Sequence, residues 1–300
     1  MRYHYLSDDQ AEQFLRRGFV TIEGCFDRDV ADEWVERAWR RMGYQSEDPS
    51  SWLEKRVHLP DSSGVDARYF APRAWQAAVE LAGGEDRLQL PWRWSDGLIA
   101  NLGVGGDQPW QPPSAAVGGW HKDGDFFRHF LDSPEQGLLS FVLWTDMLST
   151  GGGTFVAADS VPVVARFLLD HPRGVLLDDF PFTELISQCS DFVELTGKAG
   201  DVVLLHPYVL HATSQNVLQV ARFISNPPLE LKAPLSFDRS DPCDYSLVEL
   251  AVLRGLGAER LPYRPSGPRE SVVPQRVLAQ RASTVQPASD QRAAAHSDRG

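Results

Sequence analysis

From Leu88 onward the chain falls into short apolar or alternating runs separated by Gly, Pro, Asp and Asn. Runs this short bury their side chains only by pairing edge to edge and packing one sheet on another. They lie at residues 98–102, 138–146, 153–156, 175–177, 192–195, 202–205, 209–211 and 221–224. About eight strands joined by turns favour a double-sheet jelly roll, the double-stranded β-helix of cupin-like proteins. A short helix over 162–169 interrupts them.

The preceding sequence is helical in character. Ser7 and Gln10 have capping-box spacing, and Ala11, Phe14 and Leu15 behind them form one helix face up to Gly18. Residues 19–22 read as a strand. Val30, Trp34, Ala38 and Met42 then mark a helix over 29–42 with Gly43 as its C-cap. Residues 45–70 are polar and turn-rich, a loop or lid region, and Pro72 opens a further helix through Trp75, Val79 and Leu81 to Gly83. The expected fold class is mainly β with flanking helices, in a single jelly-roll domain over 1–265. Residues 266–300 hold no aromatic residue and are expected to form a disordered tail, which contains His296.

A net charge of -12 without a basic stripe excludes nucleic acid and anionic membranes as expected partners. Residues 1–12 lack the apolar core of a signal peptide, and no apolar run has membrane-spanning length. A soluble, cytoplasmic protein acting on a small molecule is the expectation; oligomeric state is not legible. Cys25, Cys189 and Cys243 are too scattered for a disulfide framework or a zinc cluster.

Within this frame His121-Lys122-Asp123 stands out. In extended backbone, residues two apart project to one face, so the imidazole and carboxylate can meet at one point while Lys122 faces the other way. One nitrogen and one anionic oxygen make up part of a two-histidine, one-carboxylate metal site. Gly118, Gly119 and Gly124 let backbone pass close to a ligand, and Phe126 and Phe127 can exclude water. Among the eight histidines, His206 and His211 are the candidates for the remaining ligand. Five residues apart, they fall on opposite faces of an extended strand, so only one of them should bind. Arg222 follows on the next expected strand amid Val220, Phe223 and Ile224; pointing inward, it would need an anion. The 103–118 stretch, rich in Gly and Pro and holding Trp110, is either a lid or a surface excursion.

These motifs resemble the phytanoyl-CoA dioxygenase family of Fe(II)- and 2-oxoglutarate-dependent oxygenases. The resemblance spans about residues 6–231 and includes Trp144-Thr145-Asp146-Met147, Gly152-Gly153-Thr154-Phe155-Val156 and Ala199-Gly200-Asp201-Val202-Val203 leading into His206 to His211. It implies Fe(II) bound by His121, Asp123 and His211, with 2-oxoglutarate and O2 as co-substrates and Arg222 on the far carboxylate of 2-oxoglutarate. It further implies Thr213 and Trp144 beside 2-oxoglutarate, with Asn101 as another polar contact. Lys122 departs from the uncharged residue expected between the ligands; it would face solvent or meet an acidic substrate. Related halogenases replace the ligand carboxylate with a small residue, so with Asp123 present the default is hydroxylation of a metabolite or natural-product C–H bond, releasing succinate and CO2; desaturation, epoxidation and ring formation use the same ligands and are not separated from it by sequence. The alternatives are an inactive jelly-roll binding module, a cupin-like metalloenzyme without 2-oxoglutarate, and a zinc hydrolase using His206.

Overall fold

The computed structural model describes residues 3–274. Eleven strands form among them: β1 (Phe19–Ile22), β2 (Arg56–His58), β3 (Gly64–Asp66), β4 (Arg93–Ser95), β5 (Ile99–Asn101), β6 (Leu139–Leu143), β7 (Thr154–Ala157), β8 (Phe192–Leu195), β9 (Val202–Leu205), β10 (Leu210–Thr213) and β11 (Arg222–Ser225). The helices are α1 (Asp8–Arg17), α2 (Arg28–Met42), α3 (Ala67–Phe70), α4 (Pro72–Ala82), α5 (Ser160–Asp170), α6 (Phe182–Ile186) and α7 (Leu247–Leu256).

An antiparallel sheet in the order β1-β9-β6-β11-β5-β2 faces a smaller one, β10-β7-β8, and β3 pairs with β4 apart from both. This is the expected jelly roll. Contacts between the large sheets identify their inner faces. Phe141 on β6 lies 5.3 Å from the His211 ring on β10, and Asn101 on β5 donates to Gly152 O beside β7 at 3.1 Å. The outer face of the large sheet is covered by aromatic side chains from α2: Trp34 stacks on Trp144 at 4.4 Å and Trp39 meets Phe223 edge-on at 5.1 Å. On the outer face of the small sheet, Trp110 of the 103–118 stretch packs edge-on against Phe155 at 5.6 Å.

The capping box of α1 forms as its sequence requires, and Gly18 ends the helix in the left-handed region. Three expectations need correction. Residues 175–177 do not form a strand: Val175 makes an isolated bridge with His129, and Leu177–Asp179 is a 3-10 turn. Residues 45–70 are not wholly loop but supply β2, β3 and α3, too short for any periodicity to show. Residues 266–274 are seated on the body. Ser266 N donates to Pro172 O, Val272 N donates to Phe126 O, and Arg269 pairs with Asp132. Ion pairs and backbone bonds hold a segment that has no apolar anchor. Residues 275–300, with His296, lie outside the described residues. No helix among the described residues is long and apolar enough to cross a membrane.

Helix α7 opens with a second capping box, Ser246 to Glu249, and its acid is buried. The Glu249 carboxylate accepts from Ser246 N, Ser236 N, Arg87 and Arg239, tying α7 to two loops. Burial opposes its ionisation, but the Arg239 and backbone N–H bonds outweigh burial and hold its pKa below the usual 4.5. The folded carboxylate is thus the weaker proton acceptor, and its stabilising effect is complete above that pH and lost as pH falls through it. Glu249→Ala should lower stability by about 3 kcal/mol at pH 7. Urea denaturation should show that gap to wild type closing on acidification.

Candidate metal centre

His121 is brought to β10 by backbone pairing. His121 N donates to His211 O at 3.0 Å and His211 N donates to His121 O at 2.8 Å, so the two imidazoles stand side by side with ring centroids 4.4 Å apart. Asp123, two residues on, projects to the same face. Its Oδ1 lies 3.6 Å from His121 Nε2 and 3.4 Å from His211 Nε2. One ligand atom from each of the three lies within 4.8 Å of the others. Ligands about 2.1 Å from a shared ion and at right angles are about 3 Å apart, so a small contraction closes this triangle on a metal.

The tautomers suit the task. His121 Nδ1 lies 2.8 Å from Gly119 O and His211 Nδ1 lies 3.1 Å from Val209 O. A carbonyl only accepts, so each Nδ1 carries the proton and each Nε2 offers its lone pair to the shared point. Burial, then His211, pulls the His121 pKa down, which keeps that ring neutral. Burial alone would raise the Asp123 pKa, but His211, His121 and a hydrogen bond from Asn226 outweigh it and hold the carboxyl ionised. Asn226 Nδ2 donates to Asp123 Oδ2 at 2.8 Å, leaving Oδ1 turned to the histidines. No spacing in the sequence singles out Asn226; its place just beyond β11 is the one available signal.

Arg222 is buried on β11, directly across from Asn101 on β5, which is in turn across from Arg56 on β2. Its Nε donates to Gly152 O at 2.7 Å and its Nη1 to Ile99 O at 3.4 Å, and no carboxylate pairs with it among the described residues. Burial, reinforced by Arg56, pulls its pKa down to about 9. Gly152 must be glycine here. Its φ is +75°, and a Cβ would sit 2.5 Å from Asn101 Nδ2.

Other expected contacts are placed differently. Thr213 follows His211 by two on β10 and shares its face. Asn101 has its amide engaged: Nδ2 donates to Gly152 O and Ser214 O, while Oδ1 accepts from Gly103 N and Val104 N. It holds loops together and has no donor left for a ligand. Trp144 points away from the centre, stacked on Trp34 and donating to Ser225 Oγ at 3.0 Å, because strand alternation puts it opposite Phe141. His206 and His211 do not share a strand: His206 is buried in the turn between β9 and β10, bonded to Val248 O and Tyr208 N, its pKa pulled down to about 3 by burial. Lys122 does face away from the metal, but into the core rather than into solvent.

A jelly roll that gathers two histidines and a carboxylate between its sheets, and buries an arginine without an anion on the inner face of the larger one, defines a class of metal-dependent enzymes. The sequence profile of the phytanoyl-CoA dioxygenase family matches residues 14–223, and the chain belongs to that family. As a member it takes Fe(II), with 2-oxoglutarate and O2 as co-substrates. No curated protein sequence matches it. Among solved structures it is similar to the non-heme alpha ketoglutarate dependent epimerase SnoN from nogalamycin biosynthesis, at 19% identity over 74% of this chain and 82% of that one, with a TM-score of 0.43. HygX from Streptomyces hygroscopicus with nickel and 2-oxoglutarate bound is 15% identical over 76% and 88%, with a TM-score of 0.41. EctD from S. alaskensis in its apoform is 18% identical over 77% and 79%, with a TM-score of 0.41.

Anaerobic titration with Fe(II), followed by equilibrium dialysis, should give one site per chain in the wild type and none in His211→Ala or Asp123→Ala. Asn226→Ala should bind about 10- to 100-fold more weakly, since it frees the ligand carboxylate to rotate.

Proposed function

We propose that the chain is a 2-oxoglutarate-dependent dioxygenase that hydroxylates a C–H bond of a small metabolite or natural-product intermediate. One oxygen atom would enter that bond and the other the succinate formed, with CO2 released. The observation that carries this reading is Arg222, a buried guanidinium on the inner face of the large sheet, the face that Phe141 turns to His211, with carbonyls but no carboxylate around it among the described residues. Such a group is costly to bury without an anion, which a bound co-substrate would supply.

Iron, when bound, supplies the oxygen activation. The protein's own residues fix geometry and exclude water. His121, Asp123 and His211 would hold the ion, and three protein ligands would leave it free to bind 2-oxoglutarate and O2 as well. Arg222 offers a bidentate donor to the far carboxylate of 2-oxoglutarate, and Thr213 brings a hydroxyl to the same face. Phe141 and Val156, on the two inner faces, put apolar side chains beside His211 and help keep water out. The carboxylate at Asp123 occupies the position a halide would need, so hydroxylation is favoured over halogenation.

An inactive binding module would require a solvated Arg222, and its burial speaks against that. A three-histidine cupin-like site would need His206, which is engaged in the core. The acyl-CoA activity of the family name is not carried over, since the sequence clusters no basic residues suited to CoA phosphates. We place the enzyme in the cytoplasm as a single domain.

Iron and 2-oxoglutarate added without oxygen should produce the weak visible charge-transfer band of the chelate. Arg222→Leu should keep iron binding while weakening 2-oxoglutarate about 100-fold, which corresponds to about 3 kcal/mol. A band titrating identically in that variant would remove the basis of the proposal.

A further inference from the structure

Lys122 stands between two metal ligands in sequence, yet only 1% of it is exposed and, among the described residues, no carboxylate side chain pairs with it. A buried amine without a counter-ion is unfavourable, so its two hydrogen bonds need a reason to exist. Nζ donates to the backbone O of Asp123 at 2.9 Å and lies 2.8 Å from His129 Nδ1. The far side of the ring decides the direction of that second bond. His129 Nε2 is 2.8 Å from Gly124 O, and a carbonyl only accepts; Nε2 therefore holds the ring proton and Nδ1 accepts from Lys122. This donor pattern is the same for an amine or an ammonium.

Three bonds thus tie the carbonyls of residues 123 and 124 to a single imidazole. That imidazole is itself immobile. The His129 backbone pairs with Val175 in both directions, and its ring lies 4.2 Å from Phe127 and 5.2 Å from Phe180. Gly124, at φ +115°, passes directly beneath the ring, where a Cβ would lie 2.7 Å from His129 Cε1 and 2.6 Å from Phe127 Cε1. The Asp123 carboxylate, by contrast, is held within the protein by the single bond from Asn226 and its contacts with the two ligand histidines.

We propose that Lys122 and His129 form a clasp behind the metal centre, with Lys122 as a positioning residue that fixes the Asp123 backbone so that Oδ1 meets the two imidazole nitrogens. In this assignment Lys122 touches neither substrate nor metal. A ligand's backbone anchor sets where its oxygen can go, and a small loss of placement there weakens the metal site without unfolding the chain. The inference rests on the reading of His121, Asp123 and His211 as an iron site.

The test is a Co(II) titration of full-length wild type, Lys122→Met, His129→Leu and His129→Gln, read by visible d–d absorption, with thermal unfolding of the metal-free proteins alongside. Lys122→Met replaces a buried amine by hydrocarbon of similar length, so the metal-free unfolding temperature should be unchanged or higher. Its Co(II) affinity should nevertheless fall about tenfold or more, with altered bands. A merely structural lysine would not separate these two readouts. His129→Gln, whose amide oxygen can accept from Nζ, should keep most of the affinity that His129→Leu loses; this pair decides the matter if Lys122→Met does not fold. Unchanged Co(II) affinity and spectrum in Lys122→Met, or equal affinities in the two His129 variants, would overturn the clasp. Wild-type protein that takes up no Co(II) would instead overturn the iron-site reading beneath it.

Discussion

Two backbone hydrogen bonds between His121 and His211 determine the chemistry of this fold. They add the ligand triplet to the edge of β10 as a strand one residue long, which places residues ninety positions apart in direct register. Everything else at the centre follows from alternation. Asp123 reaches the face of His121 because it is two residues on, Thr213 reaches the face of His211 for the same reason, and Lys122 is sent the other way. The rest of the small sheet supports that pairing. β7 lies between β10 and β8, with Val156 opposite His211, so the ligand strand cannot shift register without turning Leu210 and Ala212 inward.

The buried charges divide by how completely the protein satisfies them. Glu249 accepts from two arginines and two backbone N–H groups, and it is a structural ion. Arg222 has five N–H groups and two protein acceptors among the described residues, so three are left over on the inner face of the large sheet. Asp123 is held by Asn226 at one oxygen and open to two imidazoles at the other. Incomplete satisfaction next to an opening marks where ligand atoms complete the coordination, while complete satisfaction marks where elements are tied together. Burial drives Arg222 and Lys122 in the same direction, to about 9 and about 7, yet only Arg222 faces the space between the sheets.

Much of this was legible in the sequence because the relevant signals are local. Ser7 with Gln10, Gly43 after Met42, and Pro72 with Gly83 each announce a helix end by a side chain or backbone conformation that acts within a few residues. The strand runs that hold His211 and Arg222 are apolar enough to locate within a residue or two. What escaped was decided at a distance. Arg56–His58 is a strand only because β5 offers it a free edge, and nothing in three residues can show that. Residues 266–274 look like linker by composition, but Arg269 and Glu270 find Asp132 and Arg128. Helix α7 also escaped, although Ser246 and Glu249 carry the same local capping pattern as the start of α1.

Strand parity accounts for one misplaced site residue, and what packs around the sheet accounts for the others. Phe141 and Leu143 lie on the inner face with Ile224 opposite, so the next position, Trp144, must turn outward to the helices, however close it stands to the site in sequence. Asn101 has the correct parity and does point inward, but Gly103 and Val104 turn their amides back onto its oxygen before any ligand can. Lys122 also obeys parity. Facing away from metal implies solvent only if nothing covers that side of the strand, and here Phe127, Phe180 and His129 cover it. Alternation therefore fixes which way a side chain points, and the layers packed around the sheet fix what it meets there; only the first is written in the local sequence.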